Sequence, residues 1–507
     1  MLLDEFYQSP ADHQHPAYKN SFFVLRPAPE YATGEVLMAS LYRKVGFSEL
    51  SEKNVPTQGN SFYRRIQTPP KELKNKSGKL SAKSFCKIID EVLKSPKQPN
   101  QSKQRFLQLM PLVPELALYT SSARLRGNPW NPGELIQNML RYSTSDENQI
   151  ERTWKQIFET LDVRKLDDDI WARFLSEELV RWRPPEIKHK WKYVPLSTGT
   201  ALLSPEDVAG MEFPAKRFHK DLCNVLDLKH SLTRRQWISM LESILRIGSA
   251  SHVLWICHVH SVVWMKILKC IEGSIPDMSN IYKELSIPPM GFWAYEDKSL
   301  PRIKALVQKY YIARIGINQV LHILAEIGII LPEDYLSSVS GLQNLFQLLV
   351  SKQTELSSFD IIAKNRELLD QESRELACAK GVPSNMLEFL RYSLSQRQTT
   401  EVELKGYDQG YYLRKKGLYS AAPWIVTFGP VSAMTLTYCC AVESKFPRNI
   451  VDFCKHLVSY GVYIHPNDFP TSDLGSTMAN LGLILDSPDA EGGMMISSPL
   501  IKRDTVK

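Results

Sequence analysis

"SLTRRQWISMLESILRIGSASHVLWICHVH" (Ser231–His260) gives away the class of this protein, because its apolar residues return at the three- and four-residue spacing of an amphipathic helix. Thr233 is a helix cap, and Gly248-Ser249 reads as a turn, so two consecutive helices are expected here. The run continues as "HVLWICHVHSVVWMKILKC" (His252–Cys270), the most apolar long segment of the chain. Three His and two Lys within it are too polar for a lipid-facing span, so it is expected to be a buried core helix. Downstream, further helices are expected over 302–315, 317–330, 341–352 and 385–394. No repeat of fixed period is visible.

Upstream, residues 111–183 carry helix starts in sequence. Asn131-Pro132 pairs a cap with a first-turn proline. Ser145 or Asp146 precedes "ENQIERTWKQIFETL", and Asp167–Asp169 precede "IWARFLSEELVRW", which "RPPE" then stops. Residues 1–60 mix short apolar runs with turn residues, as a few strands and a helix would. Ser81–Leu93 reads as a short helix with Phe85, Ile88, Ile89 and Val92 on one face. The expected architecture is therefore mainly α: a multidomain helical protein with a small α+β N-terminal region. Its parts are a basic region (1–110), a helical domain ending in a basic, aromatic segment (111–195), a helical body (196–400), and a connector with a small C-terminal domain (401–507). With 507 residues and 43% hydrophobic composition, several cores are within reach without disulfides or metals.

In the last part the pattern is more specific. An apolar helix over 429–442 is followed by an amphipathic one over 448–461 with Ile450, Phe453, Cys454, Leu457 and Val458 on one face. "VYIHP" is extended, a third helix spans 471–481 with Thr471, Ser472 or Asp473 as its cap, and "LILDSPDAEGGMMIS" is a hairpin around a Pro-Asp turn. This order resembles a winged-helix domain, with "LGLILDSPDAEGGMMI" as the end of a recognition helix running into a wing. A DNA-reading version would present cations from the third helix. Here it offers Ser472, Asp473, Ser476, Thr477 and Asn480, and residues 447–507 hold 5 Lys+Arg against 7 Asp+Glu. The resemblance therefore implies a protein-docking module. The helix-rich, motif-poor make-up, with Trp-rich helices such as "LTRRQWISMLESILRIGSASHVLWI", resembles accessory subunits of bacterial anti-phage defence systems, which implies a subunit of a larger assembly.

Charge indicates the partner. The net charge is +7, and residues 1–110 hold all of the excess, with 17 Lys+Arg against 10 Asp+Glu. Arg64–Arg105 concentrates 12 Lys+Arg against 3 acids; Arg64, Arg65, Lys71, Lys74, Lys76, Lys79, Lys83 and Lys87 are its candidate phosphate contacts. A second candidate is "RWRPPEIKHKWKY", where Arg181, Arg183, Lys188, Lys190 and Lys192 interleave with Trp182 and Trp191. Bases stack on aromatic faces while cations follow the backbone. The competing reading makes both tryptophans anchors of a linker against neighbouring helices.

Other chemistry is excluded or bland. There is no GxxxxGK[ST] loop, strand-linked GxGxxG, GxSxG elbow or HExxH. His258 and His260 would point about 200° apart on one helix, so core packing is expected for them and for His252 and Cys257. The eight cysteines form no CxxC pair, as in a reducing compartment, and acids and a proline stand where a secretory leader would be apolar. The expectation is a cytoplasmic, non-catalytic nucleic-acid-binding subunit without cofactor or membrane contact. It would hold nucleic acid, DNA by preference, through its basic N-terminal region and partner proteins through the winged-helix-like domain and helical body. A divergent metal-dependent nuclease and a pure protein scaffold are the alternatives.

Overall fold

A computed structural model describes residues 2–21, 25, 29–48, 50, 80–93, 95, 109–120, 130–166, 168–183, 188–196, 203–397, 407–417, 421–444, 446–485, 494–498 and 500. Among these, 62% are helical and 4% are strand, so the protein is mainly α. No strand occurs among the described residues of 1–60, which form the helices Leu2–Gln8, Pro16–Lys19 and Gly34–Gly46.

The axis of the fold is a single 38-residue helix, Arg234–Ile271, rather than the two helices expected from Gly248-Ser249. Thr233 caps it in a reciprocal capping box with Gln236. At Gly248 the helix does not turn. The Phe218 ring of the neighbouring helix Pro214–Asp227 lies against it, so close that an added Cβ would come within 2.3 Å of the ring. The second long helix repeats this arrangement. Ser299–Glu326 runs unbroken through Gly316, where the indole of Trp264 from the first helix would lie 2.4 Å from a Cβ. Glycine costs a helix interior about 1 kcal/mol relative to alanine. Here each glycine admits a large ring onto the helix backbone, and the burial of that ring offsets the cost.

Several polar residues of the first helix have fixed partners. The His260 Nδ1–H donates to the Ile256 carbonyl, and Nε2 accepts from the Tyr18 hydroxyl, both at 2.8 Å. His258 reaches the Glu284 carbonyl at 2.8 Å, and the Lys266 ammonium donates to the Asp277 carbonyl at 2.7 Å. Burial lowers His252 and His260 to about 3, so both are neutral side chains of the core. By length and composition this helix could cross a membrane, yet it lies largely buried inside the protein.

The N-terminal segments are fastened to the second long helix. The His15 N–H donates to Asn318 Oδ1 at 2.8 Å, Arg314 donates to the Ala11 carbonyl at 2.9 Å, and His322 Nε2 lies 3.1 Å from the His13 carbonyl. The helix Gly34–Gly46 is buried along nearly all of its length. Buried side chains from Leu3 to Ile496 form one continuous hydrophobic cluster.

The C-terminal elements follow the expected order: helices Pro430–Val442, Ile450–Val458 and Asp473–Asn480, then strands Ile484–Leu485 and Met495–Ile496 paired antiparallel. Residues 448–450 add to the second strand, with Ile450 N–H to Met494 O at 3.1 Å and Ile496 N–H to Arg448 O at 2.8 Å. The turn 486–493 lies outside the described residues. The extended Val462–Tyr463 pairs in parallel with Trp293–Ala294 of the body instead of joining the hairpin. A buried carboxylate, Asp221, secures the junction. It accepts from His456 Nε2 and the Tyr460 hydroxyl, both at 2.9 Å, and from Arg217, whose guanidinium also pairs with Glu443. These partners hold the Asp221 pKa below the usual carboxylate range against the opposing effect of its burial.

Candidate nucleic-acid interface

Of the first basic stretch, Arg64, Arg65, Lys71, Lys74, Lys76 and Lys79 lie outside the described residues. Lys83 and Lys87 stand exposed on the helix Ala82–Ile88, capped by Ser81, with Lys87 3.9 Å from Glu91. The helix continues as a π turn, Ile89–Leu93. That wider turn moves the buried stripe to Phe85, Ile89 and Leu93 and leaves the expected Val92 exposed.

The Phe85 ring lies stacked on Trp182, centroids 5.3 Å apart and planes 10° from parallel. This stack joins the first basic segment to the second, nearly a hundred residues away in sequence. It also corrects the role expected of the tryptophans. Trp182 is half-buried, with one face on Phe85 and its indole N–H donating to Glu178 at 3.3 Å. Trp191 is only 5% exposed and packs among Phe158, Phe47 and Tyr42 over the backbone of Gly46. Its strand-like neighbours fix it there, with Lys192 N–H on Gly46 O and Val194 N–H on Val45 O, both at 2.9 Å. Trp191 is thus a core anchor, withdrawn from any base, because Gly46 leaves room for an indole that a larger residue would exclude.

The cations of the segment remain outside. Lys188, Lys190 and Lys192 are exposed and form no ion pair among the described residues. Arg183 donates to the His189 carbonyl at 2.6 Å, and Arg181 pairs with the buried Glu178. Beside them opens a cleft of about 600 Å³, with Arg164, Arg173, Arg181, Arg183 and Lys190 on its walls and Glu115 and Glu177 as its acids. Glu115 is buried, accepting from Ser176 at 2.7 Å and from Arg164 at 3.4 Å, and burial raises its pKa. Five cations line the site against two carboxylates, while Glu178 and Asp162 pair with Arg181 and Arg164 from outside the lining, and the remaining excess in a concave site with a low-dielectric wall focuses a positive potential. Arg164 and Arg173 escaped the sequence reading because tertiary packing, not sequence proximity, brings them beside Lys190. The eight-residue spacing of Arg173 and Arg181 on one helix was the available signal.

Two acids of the Asp167–Asp169 run serve structure. Asp169 caps the helix Ile170–Trp182, Asp168 pairs with Lys229 at 2.6 Å, and Asp167 lies outside the described residues. Among the described residues no group of three or more His, Cys, Asp or Glu gathers to hold a metal ion. No protein-family model matches the chain, and no curated protein matches it in sequence.

Proposed function

We propose that this protein is a non-catalytic nucleic-acid-binding subunit of a multi-protein assembly. The observation that carries the reading is the cationic cleft lined by Arg181, Arg183 and Lys190, on the segment that the Phe85–Trp182 stack joins to the helix Ala82–Ile88. Exposed Lys190 lines it, and Lys188 and Lys192, two residues to either side in the chain, are exposed as phosphate neutralisation requires. Arg64, Arg65, Lys71, Lys74, Lys76 and Lys79 would extend the same charge.

The C-terminal helices and hairpin take the part of a winged-helix-like protein-docking module in this reading. Its third helix has no Lys or Arg, and its N-terminus is occupied within the chain: Asp473 pairs with Arg414 at 3.2 Å, and its N–H donates to Glu296 at 3.0 Å. A helix so engaged does not offer its N-terminus to a DNA groove. Partner proteins would be held by this module and the helical body. The assembly is of the anti-phage defence kind that the helical middle resembles, working in the cytoplasm with DNA as the preferred ligand.

Fluorescence anisotropy of labelled single- and double-stranded oligonucleotides, at several salt concentrations with and without Mg²⁺, tests the reading. Salt-dependent binding with an intact probe is expected. Absence of binding at low salt would leave a protein scaffold, and cleavage with Mg²⁺ would make the protein a nuclease.

A further inference from the structure

The helix Ile170–Trp182 forms one wall of the cleft with its later turns, and its first turns bear an uncovered apolar face. Leu166 is 87% exposed, Ile170 81%, Trp171 44% and Phe174 37%. The Trp171 and Phe174 rings touch each other, with centroids 5.6 Å apart and planes at 30°, and the rings pack on no other aromatic group among the described residues. This differs from Trp182 and Trp191, whose faces are taken up by Phe85 and Phe158.

The pair lies in register with the cleft. Phe174, Glu177 and Arg181 follow one another at i, i+3 and i+7, a single strip of helix surface, and Arg173 beside Phe174 faces the cleft itself. Phe174 and Arg181 are about 10 Å apart along the axis, a reach of two to three nucleotides at roughly 3.4 Å or more each. The Arg173 guanidinium donates to the Leu166 carbonyl at 3.3 Å, which folds it over the start of the apolar face, and it has no ion pair among the described residues.

We propose that Trp171 and Phe174 are a base-stacking platform, so that the ligand of the cleft is single-stranded nucleic acid. The proposal rests on the nucleic-acid reading of the cleft and sharpens it. Aromatic faces beside a cationic groove suit a strand whose bases are free to stack, whereas a duplex keeps its bases paired and offers only phosphates. The charge of the cleft selects a polyanion over an uncharged apolar partner. Of its two acids, Glu115 is buried and hydrogen-bonded, which leaves Glu177 as the one exposed carboxylate of the lining.

The test uses the full chain, a fluorescein-labelled oligo-dT of about twelve nucleotides and a duplex of equal length. The double variant W171A/F174A is expected to bind oligo-dT about tenfold or more weakly with an unchanged salt slope, and to bind the duplex as the parent does. W171F/F174Y, which keeps the aromatic faces, should restore oligo-dT binding to within about threefold of the parent. Equal losses on both probes, or none on oligo-dT, would overturn the platform while leaving the cleft as a nucleic-acid site. If the parent protein binds neither probe, the cleft reading itself falls, and the platform with it.

Discussion

The two long helices and the cationic cleft use the same kinds of residue to opposite ends. Along Arg234–Ile271 and Ser299–Glu326, Trp255, Trp264, His252, His260 and Arg314 are buried, and His260, Arg314 and Lys266 each bond to a fixed partner within the chain. Around the cleft, Trp171, Lys188, Lys190 and Lys192 are exposed, and the lysines pair with no carboxylate among the described residues. Residue type did not decide which fate each met. What differs is the density of neighbouring elements. The core helices are packed on several sides, whereas Ile170–Trp182 is covered on one face only, so that the other stays available to a ligand.

The largest test of that contrast compares two tryptophans on either side of the boundary. Trp191→Ala should cost about 3–5 kcal/mol of stability in urea unfolding, since it empties a buried aromatic cluster. Trp171→Ala should stay within about 0.5 kcal/mol, as an exposed side chain does. Similar destabilisation by both would erase the distinction between anchor and platform.

A smaller effect is expected at the helix crossing. Gly316→Ala should cost about 1–3 kcal/mol in thermal unfolding, because the new methyl meets the Trp264 indole. Combining it with Trp264→Leu should recover part of that stability, and failure to do so would mean that the ring is not what the glycine accommodates.

Acid should destabilise the core. Burial lowers His219 to about 4 and His252 and His260 to about 3, against about 6.5 in an unfolded chain. Between pH 6.5 and 4 the unfolded chain therefore binds more protons than the folded one, and stability should fall as pH falls. Chemical denaturation across this window should show that slope, and His252→Phe should flatten it. An unchanged slope would mean that other groups dominate.

At the cleft the expected change is in affinity alone. Arg173→Ala with Lys190→Ala should make log K less steep against log salt, by nearly one unit for each phosphate that is no longer neutralised, with little change in unfolding. Burial raises the Glu115 pKa, so acidification should neutralise this carboxylate above the usual carboxylate range and tighten nucleic-acid binding; Glu115→Gln should remove that component. Binding independent of salt would show that these cations do not face phosphate.

Local signals were legible wherever one residue type has one physical task. Asn131 and Thr233 cap the helices expected of them, and Asp146, Asp169 and Ser472 are the caps among the neighbouring residues the sequence offered, because a side-chain oxygen at a helix start answers an N–H that has no other partner. The helical class and the order of the C-terminal elements followed from periodicity in the same way. The site was legible only in part. Lys83, Lys87, Arg181, Arg183, Lys188, Lys190 and Lys192 could be named from local charge, but nothing in the sequence paired Phe85 with Trp182 or separated the buried Trp191 from the exposed Trp171.

By itself, then, the sequence determined the helices, their caps and the uneven distribution of charge, since each depends on interactions within a few residues of chain. Only the tertiary structure decided that Gly248 and Gly316 are crossings rather than turns, that Trp191 is core, and that Arg164 and Arg173 share a cleft with Lys190. Those outcomes depend on which distant surface comes to lie against a residue. A glycine breaks a helix exposed to water and admits a ring where another helix packs, and an indole is an anchor or a platform according to whether its faces are covered.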